Sequence, residues 1–306
     1  IQCSYALCLQ EARMNLNPVG IMQGRLLPPT RGRIQAFPVG RWREEFHSAA
    51  QIELDCIEWI YELDTEDSNP LGTDNGISEI LNMVSDTGIS VLSVCGDYYM
   101  FERLITLDGE VRPKVMDHLK SLIEKTSRIG ARYLVLPFVD NSTLKSASET
   151  DGLVRVLTDI LPAAERAEIG IHLETDLPAT SLEHILKDSF SHPLLRLTCD
   201  IGNEASLGFE PREHWGTVGR WLGSVHVKDR IIGGGTVPLG KGSANFPVFF
   251  EIFAELGYEG TFILQVARSE DGTELEKAKT NSDFVKEKWQ FSTTDHPDNI
   301  MIRQRD

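Results

Sequence analysis

The sequence predicts an α/β protein built as a single closed (β/α)8 barrel. From Pro18 onward, short apolar runs alternate with longer segments of helical periodicity, and eight such pairs follow one another in 306 residues. Alternation of this kind is typical of a parallel sheet, and one barrel domain takes about 250 residues. An open doubly wound sheet is the alternative, but Gly20 and Gly24 lack the third glycine of a dinucleotide-binding turn.

The strands are predicted from short apolar runs, and the helices from apolar residues spaced about 3.6 apart. The predicted strands are Val19–Gln23, Cys56–Tyr61, Ile89–Cys95, Tyr133–Val139, Gly170–Thr175, Leu195–Asp200, Ser224–Lys228 and Thr261–Ala267. The predicted helices lie near Trp42–Gln51, Ile77–Thr87, Val111–Ile129, Glu149–Ala167, Ser181–Ser189, Pro211–Trp221, Phe246–Leu256 and Leu275–Trp289.

These elements place the barrel domain at residues 17–290 and leave a segment at each end. Residues 1–16 form an N-terminal extension for which the pattern predicts no element. Residues 291–306 are polar and are expected to form a tail, or an arm between copies in a homo-oligomer.

Composition excludes several classes of protein. The chain has 30 basic and 46 acidic residues, a formal charge of −16, which argues against nucleic-acid binding because that binding depends on Lys and Arg. No run approaches the roughly 18 apolar residues of a membrane span, so no membrane partner is expected. The five cysteines show no CxxC spacing, which favours reduced thiols in a cytoplasmic protein. A small phosphorylated ligand remains compatible, since it needs only a local basic cluster.

The last four predicted strands alternate apolar and polar residues. In a barrel, alternate side chains point outward to the helices and inward to the axis. Because helices need apolar partners, the polar set must face inward, although barrel interiors are normally aliphatic. Buried ionisable groups are costly unless they are paired or bound to a metal. The inward set is His172, Glu174, Arg196, Thr198, Asp200, Ser224, His226, Lys228, Ile263 and Gln265.

Four of these side chains lie at the carboxyl ends of successive strands: Glu174, Asp200, His226 and Gln265. Barrel enzymes place their chemistry at this end. Two carboxylates, an imidazole and an amide oxygen make a mixed N/O site for Mn²⁺, Mg²⁺, Co²⁺ or Zn²⁺. The alternative is a buried hydrogen-bonded network without a metal.

The sequence resembles the sugar phosphate isomerase/epimerase superfamily, the xylose-isomerase-like TIM barrels, over nearly the whole chain. The matching segments are Ile171–Glu174, Thr198–Asn203, Ser224–Arg230 and Gly260–Gln265. The resemblance implies a metal held by a glutamate, an aspartate, a histidine and a second glutamate from strands five to eight. Glu174, Asp200 and His226 match the first three, whereas Gln265 stands in place of the second glutamate.

The resemblance also implies a small sugar or sugar phosphate as substrate, isomerised or epimerised through an enediolate. Glu174 is then the base that removes the α-proton. Epimerisation in its simplest form needs a second base on the opposite face, and Gln265 cannot be one. A one-base isomerisation or a dehydration is therefore favoured over the two-glutamate reaction. The candidate substitutes for the second base are Lys228, Asp229, Glu58 and His172.

Several basic groups are candidates for binding a substrate phosphate or carboxylate. Arg25 follows the first strand, where it either grips an anion or lies on the surface. Lys228 and Arg230 border the glycine-rich loop 233–242. Backbone N–H groups in such a loop can approach an anion, and loops after strands seven and eight often bind phosphate in barrels. The alternative for this loop is a cover without direct contact.

Two further residues are candidates for substrate binding. Glu58 points to the interior from the second strand, where it is expected to hydrogen-bond sugar hydroxyls. Asn203 follows the aspartate of the sixth strand, where several members of the superfamily have a substrate-binding histidine.

Three other functions compete with an isomerase or epimerase. The first is a lyase on the same site, a dehydratase of a keto-inositol or a dehydroshikimate-type acid. The second is a non-catalytic carbohydrate-binding barrel that has lost its base with Gln265. The third is an abasic-site endonuclease, which needs additional metal ligands and a basic groove, so the charge of −16 counts against it.

Overall fold

Eight parallel strands close into a barrel, which confirms the predicted fold class. The computed structural model describes residues 17–189, 192–269 and 272–294. Neighbouring strands pair in chain order, and the first pairs with the last. The barrel strands are β1 Val19–Met22, β2 Cys56–Ile60, β3 Ser90–Cys95, β4 Tyr133–Phe138, β5 Gly170–Thr175, β6 Leu195–Asp200, β7 Leu222–Val227 and β10 Thr261–Leu264. Strands β8 Asp229–Arg230 and β9 Thr236–Val237 form a separate hairpin.

Helices follow the strands, and each predicted helix has a counterpart. They are α1 Trp42–Gln51, α2 Asp74–Thr87, α3 Tyr98–Phe101, α4 Pro113–Arg128, α5 Ala147–Ala167, α6 Ala179–Glu183, α7 Ile201–Leu207, α8 Pro211–Val218, α9 Phe246–Glu255 and α10 Glu274–Thr294. The predicted helix 181–189 is divided, because a π-helical turn, His184–Ser189, follows α6. The short helices α3 and α7 were not predicted.

Helix α7 begins directly at the end of β6, and the sequence carries its start signal. Asp200 is the N-cap, and its Oδ1 accepts the backbone N–H of Asn203 at 2.8 Å. A side-chain oxygen at this position satisfies an N–H that the helix itself leaves unpaired. Asp200 is therefore fixed in place by the backbone that follows it.

The strand register brings the polar strand ends to one level. Asp200 pairs with His226, and His226 pairs with Ile263, one strand further round the barrel. The predicted outward residues are buried beneath the helices, as the alternation requires: Ile171, Leu173, Leu195, Leu197, Val225, Val227, Phe262 and Leu264.

Below the carboxyl ends of the strands, the barrel interior contains polar side chains that contact one another. His172 stacks on Tyr133 with ring centroids 4.1 Å apart, and its Nδ1 lies 2.9 Å from Ser224 Oγ. Burial lowers the pKa of His172 to about 3, so it is a neutral core histidine. A pKa this low makes His172 a weak base, and its ring is packed inside the barrel, so it does not suit the role of second base.

Three cysteines lie in the described part of the chain, and all are buried free thiols: Cys56, Cys95 and Cys199. Within the described ranges, no helix has the length and apolar character needed to cross a membrane. Helix α10 continues to Thr294, four residues beyond the expected domain end at 290. The N-terminal extension, Cys3, Cys8 and residues 295–306 lie outside the described residues.

Replacement of Phe250 tests the packing between the barrel and its helices. Its side chain is wholly buried and stacks on Phe262 with ring centroids 5.4 Å apart. Phe250→Ala should lower the free energy of unfolding by about 3–5 kcal/mol in urea denaturation, because it leaves a cavity. Leu107→Ala is the control, since Leu107 is 73% exposed and should change stability by about 0.5 kcal/mol or less. Similar losses in both variants would contradict this packing.

Candidate active site

A cavity of ≈ 520 Å³ lies at the carboxyl end of the barrel. Parallel barrels place their functional groups at this end, on the loops that follow the strands. Its polar lining residues are Arg25, Arg33, Gln35, Glu62, Asp97, Asp140, Asn141, Glu174, Asn203, Lys228, Arg230, Thr236 and Gln265. The cavity is thus bordered by acids and bases from nearly every loop at this end.

Three of the predicted ligands converge beside this cavity. Glu174 on β5, Asp200 on β6 and His226 on β7 each offer one donor atom, and these atoms lie within 4.8 Å of one another. All three side chains are buried. Two carboxylates and one imidazole at this spacing are a donor set that suits Mn²⁺, Co²⁺ or Zn²⁺.

The surroundings of His226 also suit a metal ligand. Its Nδ1 lies 3.4 Å from Glu174 Oε2 and its Nε2 lies 2.8 Å from Glu58 Oε1, but neither contact has hydrogen-bond geometry. Desolvation lowers the pKa of His226, but the charges of Glu58 and Glu174 outweigh it and raise that pKa well above its usual value. The same negative potential would favour a cation at Nδ1 once the imidazole has lost its proton.

Gln265 lies one residue beyond β10 and is joined to the other predicted ligands through a lysine. Its Oε1 accepts a hydrogen bond from Lys228 Nζ at 2.9 Å, and the same ammonium lies 3.1 Å from Asp200 Oδ2. Its Nε2 donates to Gln35 Oε1 at 3.2 Å. The amide oxygen of Gln265 therefore faces the side of the site on which Asp200 lies.

Glu58 lies below the cavity instead of on its wall, which differs from the expected contact with sugar hydroxyls. It occurs two residues before the end of β2, one layer deeper than the other acids, and it is wholly buried. Ser93 Oγ donates to its Oε2 at 2.6 Å, and its Oε1 faces His226. Glu58 thus contacts a candidate metal ligand and is absent from the cavity lining.

Asn203 links the base candidate to an arginine. Its Nδ2 donates to Glu174 Oε1 at 3.0 Å, and its Oδ1 accepts from Arg230 NH1 at 2.8 Å. Both Asn203 and Arg230 line the cavity, as expected for substrate-binding residues. The pair orients one oxygen of the Glu174 carboxylate.

The glycine-rich loop binds a carboxylate of the protein itself. Asp229 is wholly buried and accepts the backbone N–H groups of Gly240, Gly242 and Ala244 at 2.9, 2.8 and 3.1 Å. These amides are therefore not directed at a substrate anion, in contrast to the expectation. Asp229 is also removed as a second base, because its oxygens are bonded within the loop.

Arg25 is buried at the cavity and does not lie on the protein surface. It is 5% exposed, and it donates to Ile34 O and to Gln35 Oε1. Burial, together with the nearby charge of Arg268, lowers the pKa of Arg25 to about 9, which still leaves it protonated at neutral pH. Arg25 thus places a positive charge at the cavity wall.

Gln35, Glu62 and Asp97 are among the polar cavity residues that the sequence reasoning missed. Asp97 Oδ2 accepts from Gln35 Nε2 at 2.6 Å, and burial raises the pKa of Asp97 to about 6. Glu62 accepts from Phe37 N at 2.9 Å. The sequence contained a signal for Glu62 and Asp97, because each acid lies two residues after the end of its strand. Gln35 lies in a long loop without such a signal.

Sequence comparison agrees with this geometry. The profile of the xylose isomerase-like TIM barrel family matches residues 46–288, most of the chain. The chain belongs to this family. The resemblance seen in the strand-end motifs is thereby confirmed.

Named relatives of this family member are sugar epimerases. L-ribulose-5-phosphate 3-epimerase UlaE of Escherichia coli O1:K1 / APEC is 26% identical over 264 residues, which cover 82% of this chain and 92% of the relative. The structure of an L-ribulose 3-epimerase superposes with a TM-score of 0.71 at 15% identity, covering 95% of this chain and 100% of the other. The 3-keto-D-glucoside 4-epimerase YcjR of E. coli gives 0.63 at 16% identity, with coverages of 87% and 98%. At these identities the structural matches show the fold alone.

Asp200→Asn tests the converging donor set. An asparagine oxygen can still accept the N–H of Asn203, so the cap of α7 remains, whereas the ligand charge is lost. The affinity for Mn²⁺ in calorimetric titration should fall at least about tenfold. Saturating Mn²⁺ should raise the Tm of the wild type and raise that of the variant less.

Asp86→Asn is the matched control, because Asp86 is exposed near the end of α2, just before the amino end of β3, whereas the site lies at the carboxyl ends of the strands. It should bind Mn²⁺ as the wild type does. Equal affinity in Asp200→Asn and the wild type would show that Asp200 is not a ligand.

Proposed function

We propose that this protein is a metal-dependent isomerase or epimerase of a small sugar or sugar phosphate, with Glu174 as the catalytic base. The observation that carries this proposal is the convergence of Glu174, Asp200 and His226 beside a polar cavity at the carboxyl end of the barrel. Support comes from relatives that are named as sugar epimerases over most of the length of this chain.

The residues present fit a divalent ion. Glu174, Asp200 and His226 would hold it, with the amide oxygen of Gln265 as a fourth ligand. Oxygen and imidazole donors are compatible with Mn²⁺, Mg²⁺, Co²⁺ or Zn²⁺. When bound, such an ion polarises the carbonyl and hydroxyl oxygens of an α-hydroxy ketone or aldehyde, and so acidifies the α-proton.

Glu174 takes the α-proton and leaves an enediolate. Asn203 Nδ2 holds Glu174 Oε1, which fixes the direction of the carboxylate toward the substrate. Return of the proton from Glu174 to the neighbouring carbon completes an isomerisation by a single base. Return to the opposite face of the same carbon would complete an epimerisation, and this step requires a second proton donor.

Of the four substitutes for a second base, only Lys228 lines the cavity. His172 and Glu58 lie in the barrel interior, and Asp229 binds the loop amides. The carboxylates of Glu62 and Asp97 also line the cavity, but they accept hydrogen bonds from Phe37 N and Gln35 Nε2. A reaction with Glu174 as its one carboxylate base is therefore the simplest account of the site. A dehydration by the same enediolate is the second candidate, because it also needs only one carboxylate to remove the proton.

Arg230 is the proposed contact for a phosphate or carboxylate of the substrate. It lines the cavity and donates to Gly234 O and Asn203 Oδ1, which are both neutral acceptors. Lys228, in contrast, already contacts the Asp200 carboxylate. The guanidinium of Arg230 thus keeps its charge available for an anion.

Glu174→Gln tests the base. An amide oxygen can still ligate a metal but cannot take a proton, so Mn²⁺ binding should persist, weakened by the lost charge, while solvent-deuterium exchange at the α-carbon should fall at least about a hundredfold. Exchange is measured by NMR on a panel of ketoses that includes L-ribulose and its 5-phosphate. Loss of water from the panel, measured in parallel, distinguishes a dehydratase.

Glu276→Gln on the exposed side of α10 is the matched control and should exchange as the wild type does. Exchange at wild-type rate in Glu174→Gln would show that another group is the base and would refute the assignment.

Arg230→Met tests the anion contact. A charge-assisted hydrogen bond contributes about 1.5–3 kcal/mol, so the inhibition constant of L-ribulose 5-phosphate should rise roughly 10- to 100-fold. The constant for unphosphorylated L-ribulose should change much less. The ratio of the two constants is the decisive quantity, because loss of the contact with Asn203 affects both sugars. An unchanged ratio would eliminate Arg230 as the phosphate contact.

A further inference from the structure

A chain of hydrogen bonds crosses the cavity from β3 to β6. Asp97 Oδ2 accepts from Gln35 Nε2 at 2.6 Å, and Gln35 Oε1 accepts from Gln265 Nε2 at 3.2 Å. Gln265 Oε1 accepts from Lys228 Nζ at 2.9 Å, and Lys228 lies 3.1 Å from Asp200 Oδ2. Five loops or strand ends are thereby connected by side chains alone.

Asp97 and Arg25, which both contact Gln35, fix the direction of its amide. The ionised Asp97 carboxylate only accepts hydrogen bonds, so the Gln35 NH₂ group must face it. The Arg25 guanidinium only donates, and its NH2 lies 3.1 Å from Gln35 Oε1. Rotation of the amide by half a turn would oppose donor to donor at Arg25 and acceptor to acceptor at Asp97.

The direction of Gln35 in turn dictates the chemistry of residue 265. Gln35 presents its oxygen to this residue, which must therefore donate a hydrogen bond. On the other side the Lys228 ammonium only donates, so residue 265 must also accept one. An amide has both groups, whereas a carboxylate has no donor and would face the oxygen of Gln35.

We infer that Gln35 is a positioning residue that specifies an amide at residue 265 and directs its oxygen toward Lys228 and Asp200. The neighbours of Gln265 thus require a neutral amide there, whose oxygen can serve as a ligand. The glutamine is a specified residue, beyond the mere loss of a second base. The inference rests on the proposed function for its consequence, a reaction class served by one carboxylate base. These hydrogen bonds form in the protein without metal or substrate.

A double-mutant cycle on the metal-free protein tests the polarity of the Gln35 amide. Gln265→Glu puts a carboxylate against Gln35 Oε1, and Gln35→Met removes that oxygen at similar side-chain length. Gln265→Glu should therefore raise the equilibrium constant for unfolding. The factor should be about tenfold larger in the wild-type background than in the Gln35→Met background. Gln35 is half-buried on a loop, so its replacement leaves the barrel folded.

The sign of the coupling between the two substitutions shows whether the Gln35 amide has a fixed direction. If the Gln35 amide turned freely, its NH₂ group would donate to the new carboxylate at position 265. Gln265→Glu would then be better tolerated in the wild-type background than in the Gln35→Met background. That result, or no coupling, would overturn the inference. Guanidinium unfolding at equilibrium provides the four constants.

Mn²⁺ affinity is a second measurement, and it should not change if the role of Gln35 is merely structural. Gln35→Met should weaken Mn²⁺ binding about tenfold, as loss of an orienting partner of a ligand commonly does, because the Gln265 oxygen is no longer directed. Gln51→Met, the same change at the exposed end of α1, should leave affinity unaltered. If Gln35→Met leaves Mn²⁺ affinity unchanged but the unfolding cycle shows coupling, Gln35 still specifies an amide at residue 265. Gln265 would then not be a metal ligand. Absence of Mn²⁺ binding in the wild type would refute the proposed function, while the metal-free cycle would still decide the role of Gln35.

Discussion

The constraint on which this site depends is the negative charge buried around one imidazole. Glu58 and Glu174 both contact His226, and Asp200 lies beside them and forms an ion pair with Lys228. Carboxylates removed from water are stable only when cations or hydrogen-bond donors compensate them. The positions of Ser93, Asn203 and Lys228 around these acids follow from this need. The proposed divalent ion would meet the same need.

The same need explains why the cavity carries so many basic groups in an acidic protein. Arg25, Lys228 and Arg230 come from the loops after the first and seventh barrel strands and surround the carboxylates. Arg25 donates to Gln35 and Arg230 to Asn203, and the amides of these two residues donate to a carboxylate on their other side. Amide side chains thus connect cations to anions without adding charge. Replacement of a second carboxylate by Gln265 belongs to this arrangement.

Much of the site followed from sequence because strand periodicity determines direction. Glu174, Asp200 and His226 alternate with apolar residues that face the helices, so their inward direction and common level were predictable. Glu58 obeys the same alternation, but the alternation does not state depth, and the residue lies one layer below the cavity. Asp229 follows a strand end as Lys228 does, yet it turns away to bind loop amides. Alternation thus gave the inward direction of Lys228 correctly, but it did not show which groups Asp229 would bind.

The sequence by itself determined the barrel, the polarity of its interior and three of the four predicted ligand positions, because these depend on local periodicity and on chain order. The tertiary structure alone decided how the amides are directed. Gln35 and Gln265 are separated by 230 residues, and their contact exists only because the barrel closes β1 against β10. Whether a glutamine side chain donates or accepts at a given place depends on partners brought from distant loops. No local pattern specifies them.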